Sequence, residues 1–205
     1  MAQRGASSLA IELEHDAAGE RAREWPFPYH ARQRFELIAD GAAVRLELGL
    51  DIENTGGDAF PFGLGWHPYF DRDEETELGF VARGVWHTDP SRLPTWFDAV
   101  PPSWNFDPPR VIGTTALDNC FTGWRAPAMV RWPASKITAA IAADAACDYL
   151  VVYVPPGKSF FAIEPVTHMT DAFNRAGEDP DTGTRVLAPG ACFSCTMSIL
   201  VSPGG

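Results

Sequence analysis

From Val44 to Glu53 the chain sets Val44, Leu46, Leu48, Leu50 and Ile52 against Arg45, Glu47, Gly49, Asp51 and Glu53. Side chains of an extended strand point alternately to opposite faces, so this pattern specifies a β-strand with one dry face and one wet face. Asn54-Thr55-Gly56-Gly57-Asp58 closes it with turn chemistry, and Ala39-Asp40-Gly41-Ala42 forms the turn before it.

Shorter signals of the same kind recur along the chain. Leu9, Ile11 and Leu13 alternate, and residues 16–24 then read as a charged turn or loop. Trp25-Pro26-Phe27-Pro28-Tyr29 is too rich in proline for a central strand or a helix and is expected to be an extended edge segment. Strands are predicted over 34–37, 78–82, 84–87, 128–132, 135–142, 158–166 and 196–201. The run Tyr149–Val154 is apolar throughout and stops at Pro155-Pro156-Gly157, as a strand buried on both faces would. Residues 71–77 read as a solvated acidic loop, and 89–110, rich in proline and tryptophan, as long ordered loops that cover something. The best helix candidate, 167–175, is short. Many short strands with Pro- and Gly-rich turns indicate one all-β domain over residues 1–205, a sandwich or a barrel.

Composition narrows the function. A chain of 205 residues with 45% hydrophobic and 21% charged residues has the make-up of a soluble globular domain. Its net charge of −11 argues against nucleic acid or an anionic membrane as partner, and mildly against a strongly anionic substrate. No run reaches the length of a membrane span and the first ten residues lack the plan of a signal peptide, so the cytoplasm is the expected location. Of the four cysteines, only Cys192 and Cys195 are close, inside an expected strand where both cannot easily turn to one metal. Free thiols and no metal centre are expected, and scattered His87 and His168 add no ligand spacing.

Three stretches carry chemistry. Pro61-Phe62-Gly63-Leu64-Gly65-Trp66-His67-Pro68-Tyr69-Phe70 places one histidine among aromatics, with glycines that let the backbone pass close to a ligand. Such an imidazole is a plausible proton donor beside a polar ring; equally, it is a turn histidine that satisfies a backbone group. Glu164 interrupts the apolar strand Phe160-Phe161-Ala162-Ile163-Glu164-Pro165. A carboxylate there suits a general base if burial raises its pKa, or simply faces water at a strand end. Leu117-Asp118-Asn119-Cys120-Phe121-Thr122-Gly123-Trp124 sets a carboxylate and an amide beside two aromatic rings. That combination fits sugar hydroxyls and apolar ring faces, and Asp-Asn is also a turn signature.

Together these stretches resemble the aldose 1-epimerase (galactose mutarotase) family. Trp-Pro-Phe-Pro-Tyr, Gly-Leu-Gly-Trp-His-Pro-Tyr-Phe, Leu-Asp-Asn-Cys-Phe and Ile-Glu-Pro-Val-Thr follow in the family's order from Trp25 to about Val201. The resemblance implies a large antiparallel β-sandwich that exchanges the α and β anomers of a free aldose through the open-chain aldehyde, without a cofactor. It implies Glu164 as the general base, His67 as the general acid and Asp118 as the carboxylate that holds sugar hydroxyls. Trp66 and Trp124 are candidates for ring contacts, with core packing as the other reading.

The resemblance also implies a departure. Family members carry early strands, a sugar-contacting arginine and a second active-site histidine in an N-terminal part that nothing before Trp25 matches. His15 and His30 read as surface residues. Missing strands would leave sheet edges to be covered or paired with a second copy of the chain. Two alternatives therefore stand beside a mutarotase: a non-catalytic or vestigial sugar-binding protein of the same fold, and a sugar-phosphate epimerase. The latter would need basic residues at the cleft, where the motifs supply only Arg72 and Lys158.

Overall fold

The computed structural model describes residues 2–175 and 182–204. In chain order its strands begin with β1 Ala2–Arg4, β2 Ser8–His15, β3 Tyr29–Asp40 and β4 Ala43–Asn54. Next come β5 Phe60–Phe62, β6 Tyr69–Asp71, β7 Glu77–Val81, β8 Gly84–Thr88, β9 Pro94–Asp98 and β10 Phe106–Val111. The rest are β11 Leu117–Thr122, β12 Arg125–Trp132, β13 Ile137–Ala143, β14 Tyr149–Val154, β15 Phe160–Val166, β16 Arg185–Leu187 and β17 Cys192–Pro203. Two short helices, α1 Arg21–Glu24 and α2 Ala172–Arg175, complete the set with a 3-10 turn at Pro102–Trp104.

Nine strands form one antiparallel sheet in the order β1-β2-β3-β4-β17-β13-β12-β7-β10, and six form a second in the order β6-β15-β14-β11-β8-β9. The core lies between them. Leu48, Leu78, Val130, Ile141 and Met197 from the large sheet meet Val85, Phe121, Leu150, Val152, Phe161 and Ile163 from the small one. The alternation that predicts the strand at residues 44–53 is satisfied by β4, whose even-numbered residues 46–52 face this core.

β14 matches its predicted bounds, and its apolar residues divide between two clusters. Leu150, Val152 and Val154 enter the main core, while Tyr149 and Val151 pack with Trp86, Cys120, Met169 and Ala172 on the opposite face. Burial on both faces is what removed the alternation from its sequence. The second cluster is roofed by the segment predicted as a helix, of which only α2 is helical.

Two expectations change. The strand foreseen at 34–37 runs through all of β3, because β4 pairs with it from Tyr29 to Asp40 and β2 pairs with it on the other edge. Residues 89–110 are not all loop: β9 pairs with β8 and β10 with β7. Prolines hid these strands, and β9 is an edge strand, where a missing N–H is tolerated. Cys192 is exposed and Cys195 buried, as residues three apart on one strand must fall on opposite faces. Among the described residues no group of His, Cys, Asp and Glu could hold a metal ion. No described helix is long and apolar enough to cross a membrane.

Candidate active site

Glu164 sits within β15, its side chain on the face of the small sheet away from the main core. Its strand neighbours Phe161 and Ile163 fill that core, so the pleat turns the carboxylate the other way. On β14, Val151 pairs with both Glu164 and Cys120, and Tyr153 pairs with both Ala162 and Asp118. Asp118 therefore shares the face of Glu164, two strands away, a lateral separation of about 10 Å.

His67 reaches the same face by a different route. Residues 64–66 run antiparallel beside residues 165–167, held by Thr167 N–H to Leu64 O at 2.8 Å and Trp66 N–H to Pro165 O at 3.2 Å. The Thr167 hydroxyl accepts the Leu64 N–H at 2.9 Å. Gly65 permits this approach, since a Cβ there would meet Val166 Cγ1 at 2.5 Å. At Gly63 a Cβ would collide with the His168 ring. The glycines thus make room for β15 and His168, which corrects the expectation that they bring backbone close to a ligand.

The outcome is a direct pair, His67 Nε2 lying 3.3 Å from Glu164 Oε1. The imidazole stacks on Tyr69, ring centroids 4.6 Å apart, and the Tyr69 hydroxyl lies 3.4 Å from Nε2. The two partners differ in exposure: the His67 side chain is 52% exposed and that of Glu164 11%. Burial, aided by the Asp118 carboxylate, pushes the Glu164 carboxyl up to about 7. Loss of hydration disfavours the charged form, and a like charge adds to it. A carboxyl with that pKa can both take and return a proton near neutral pH. Across Val151 from Glu164, on β11, burial pushes the Cys120 thiol up to about 12, so it stays protonated.

The remaining candidates separate. Asp118 is half-buried, with Oδ2 3.6 Å from Arg92 Nε. Asn119 points elsewhere and donates to Trp86 O at 2.9 Å. Trp66 and Trp124 are buried in the main core, which corrects the ring-contact expectation in favour of packing. His15 and His30, expected at the surface, are half-buried: His15 bonds Trp25 O at 2.7 Å and stacks on Tyr29. His87 stacks on Trp96 at 4.6 Å, and burial lowers the pKa of His168. Arg72 is committed to Gly113 O. Arg92 belongs to no motif, and its place beside Asp118 depends on the β8–β9 hairpin, which the sequence did not reveal.

The family profile described as Aldose 1-epimerase matches residues 2–200, including the stretch before Trp25. YphB of Escherichia coli strain K12, an uncharacterized protein, is 30% identical over 203 residues, covering 95% of this chain and 65% of its own length. The chain thus spans less than two thirds of that relative. A solved E. coli K12 structure, provisionally an aldose 1-epimerase, superposes with a TM-score of 0.85 at 25% identity, covering 98% of this chain and 67% of that one. A galactose mutarotase-like protein from Clostridium acetobutylicum shares the fold with a TM-score of 0.81 at 15% identity, covering 99% and 65%.

Proposed function

The chain belongs to the aldose 1-epimerase family, and from that premise we propose that it interconverts the α and β anomers of a free aldose. Glu164 is the general base and His67 the general acid. The observation that carries this reading is the His67–Glu164 pair at 3.3 Å, with the carboxyl raised to about 7.

Ring opening needs one proton removed and one supplied. Glu164 takes the proton of the anomeric hydroxyl as that oxygen becomes the aldehyde oxygen. The bond from the anomeric carbon to the ring oxygen breaks, and its electron pair takes a proton from imidazolium His67. Rotation about the adjacent carbon–carbon bond turns the other aldehyde face toward the freed hydroxyl. Closure runs the transfers backward: His67 recovers its proton and Glu164 returns one to the new anomeric oxygen. Atoms and charges balance over the cycle, and no electron leaves the sugar. Asp118 accepts hydrogen bonds from hydroxyls further along the same sheet face.

Sugar binding without turnover is the second reading, favoured by the open side of a site in which His67 is half exposed. Polarimetry of freshly dissolved α-D-glucose and α-D-galactose separates the two. Accelerated mutarotation that Glu164→Gln reduces by about 10²- to 10⁴-fold supports the isomerase, as expected for loss of a general base. No acceleration of any aldose by folded wild type leaves the binding reading in its place.

A further inference from the structure

Arg92 is held at the tip of the β8–β9 hairpin by a closely bonded turn. Asp89 Oδ1 accepts from the Ser91 N–H at 2.8 Å, the Ser91 hydroxyl at 2.6 Å and the Leu93 N–H at 3.1 Å. The Asp89 N–H donates to Leu93 O and the Arg92 N–H to Asp89 O, each at 3.0 Å. This turn keeps Arg92 at φ +70°, a left-handed conformation that costs a non-glycine residue about 1 kcal/mol or more. The hairpin is fastened from α2 as well: Arg175 Nη1 donates to Pro94 O at 3.1 Å, and its guanidinium lies 5.0 Å from the Trp86 ring centroid. From this fixed base the Arg92 side chain extends to Asp118, Nε to Oδ2 3.6 Å.

We propose that Arg92 is a positioning residue of the site: its pairing with Asp118 fixes the carboxylate that meets the sugar and offsets that carboxylate's charge at Glu164. The consequence for turnover rests on the mutarotase reading; the electrostatic link does not.

Among the described residues, the segment 167–175 that roofs the Glu164 face of the small sheet carries His168, whose pKa burial lowers, and Arg175, whose guanidinium lies against Trp86. His67 approaches from the segment after β5 and the Tyr69 hydroxyl from β6, by way of His67. β14 presents apolar Val151, and β11 presents the protonated Cys120 thiol and the Asp118 carboxylate. Asp118 is the anion that favours the protonated form of Glu164. Arg92 is the cation paired with it, so loss of Arg92 leaves the negative charge of Asp118 less compensated. An exposed ion pair contributes little to stability, yet it still changes the potential at a neighbouring, poorly hydrated carboxyl.

The test compares Arg92→Gln, Arg92→Lys, Asp118→Asn and the Arg92→Gln/Asp118→Asn pair. Carbon-13 NMR of glutamate side chains follows the Glu164 titration in folded, sugar-free protein, with Glu164→Gln to assign the signal. Mutarotation against pH gives kcat and KM for the same proteins. Arg92→Gln is expected to raise the Glu164 midpoint by about 0.5 pH unit, a roughly threefold change in its proton affinity. Arg92→Lys keeps the charge and is expected to hold the Glu164 midpoint close to wild type. In the Asp118→Asn background, Arg92→Gln moves the midpoint by less than half as much. A Glu164 midpoint in folded Arg92→Gln equal to wild type overturns the proposal, as does a full shift in the Asp118→Asn background. If wild type turns over no aldose, the NMR titration still decides the role of Arg92, so the two readings fail separately.

Discussion

Strands β11, β14 and β15 and strands β2 and β3 are all antiparallel, yet they meet opposite surroundings. The first group is packed on both faces, by the large sheet on one side and by the Trp86–Met169 cluster on the other. In the second group Leu9, Ile11 and Leu13 alternate along β2, but the nine-stranded sheet extends past its six-stranded partner. Leu13 and Leu37 are 55% and 54% exposed, and Val44 at the start of β4 is also exposed. Carboxylates differ in the same way. Glu12 and Asp51 pair with Arg32 and Arg34 on a wet sheet face, whereas Glu164 has lost most of its hydration. Covering a strand on both faces is what makes an ordinary glutamate a candidate base.

Several measurements would break or sharpen this contrast, beginning with the largest effect on stability. Phe121→Ala, fully buried between the sheets, should cost about 3–5 kcal/mol in urea unfolding, as large truncations in packed cores do. A loss below 1 kcal/mol would mean that this core collapses around the gap.

Next comes the stability cost of desolvating Glu164. Its native pKa of about 7 exceeds its ordinary value of 4.5, so the native state binds more protons than the unfolded state between those values. Wild-type stability should therefore fall as pH rises from about 4.5 to about 7, by about 3 kcal/mol, and then level off. Glu164→Gln should lack this slope and be the more stable protein at pH 8. Parallel pH curves for the two would contradict burial as the cause.

The same titration should appear in turnover. Mutarotation kcat/KM is expected to rise tenfold per pH unit below about 7 and to bend there as Glu164 becomes ionised. A bend near the ordinary carboxylate range would place the working base elsewhere.

The smallest effect belongs to the overhang. Leu37→Ser should change stability by about 0.5 kcal/mol or less, as substitutions at wet positions do. A loss above 2 kcal/mol would show that this residue is covered in solution, and sedimentation of the wild type would then show whether a second copy covers it.

Much of this was legible in the sequence because it is local. Period-two alternation marked β4, a continuous apolar run with its proline stop marked β14, and Glu164 and His67 stood out as polar interruptions of apolar or aromatic stretches. The resemblance of the four motif blocks supplied the family and the sandwich. What was not legible depends on partners distant in the chain. β9 and β10 are strands because β8 and β7 pair with them, despite the prolines. Trp66 and Trp124 look like sugar platforms beside their motif residues, yet both are buried in the main core. Gly65 reads as room for a ligand until Val166 is seen to occupy that space.

The sequence by itself determined which residues alternate, which turns break the strands and which groups have proton chemistry, since each follows from a residue and its near neighbours. Only the tertiary structure decided that His67 lies 3.3 Å from Glu164, that Arg92 reaches Asp118, and that the Glu164 carboxyl rises to about 7. Contact and desolvation are set by the chain segments that fold against a residue, here close to a hundred positions away between His67 and Glu164.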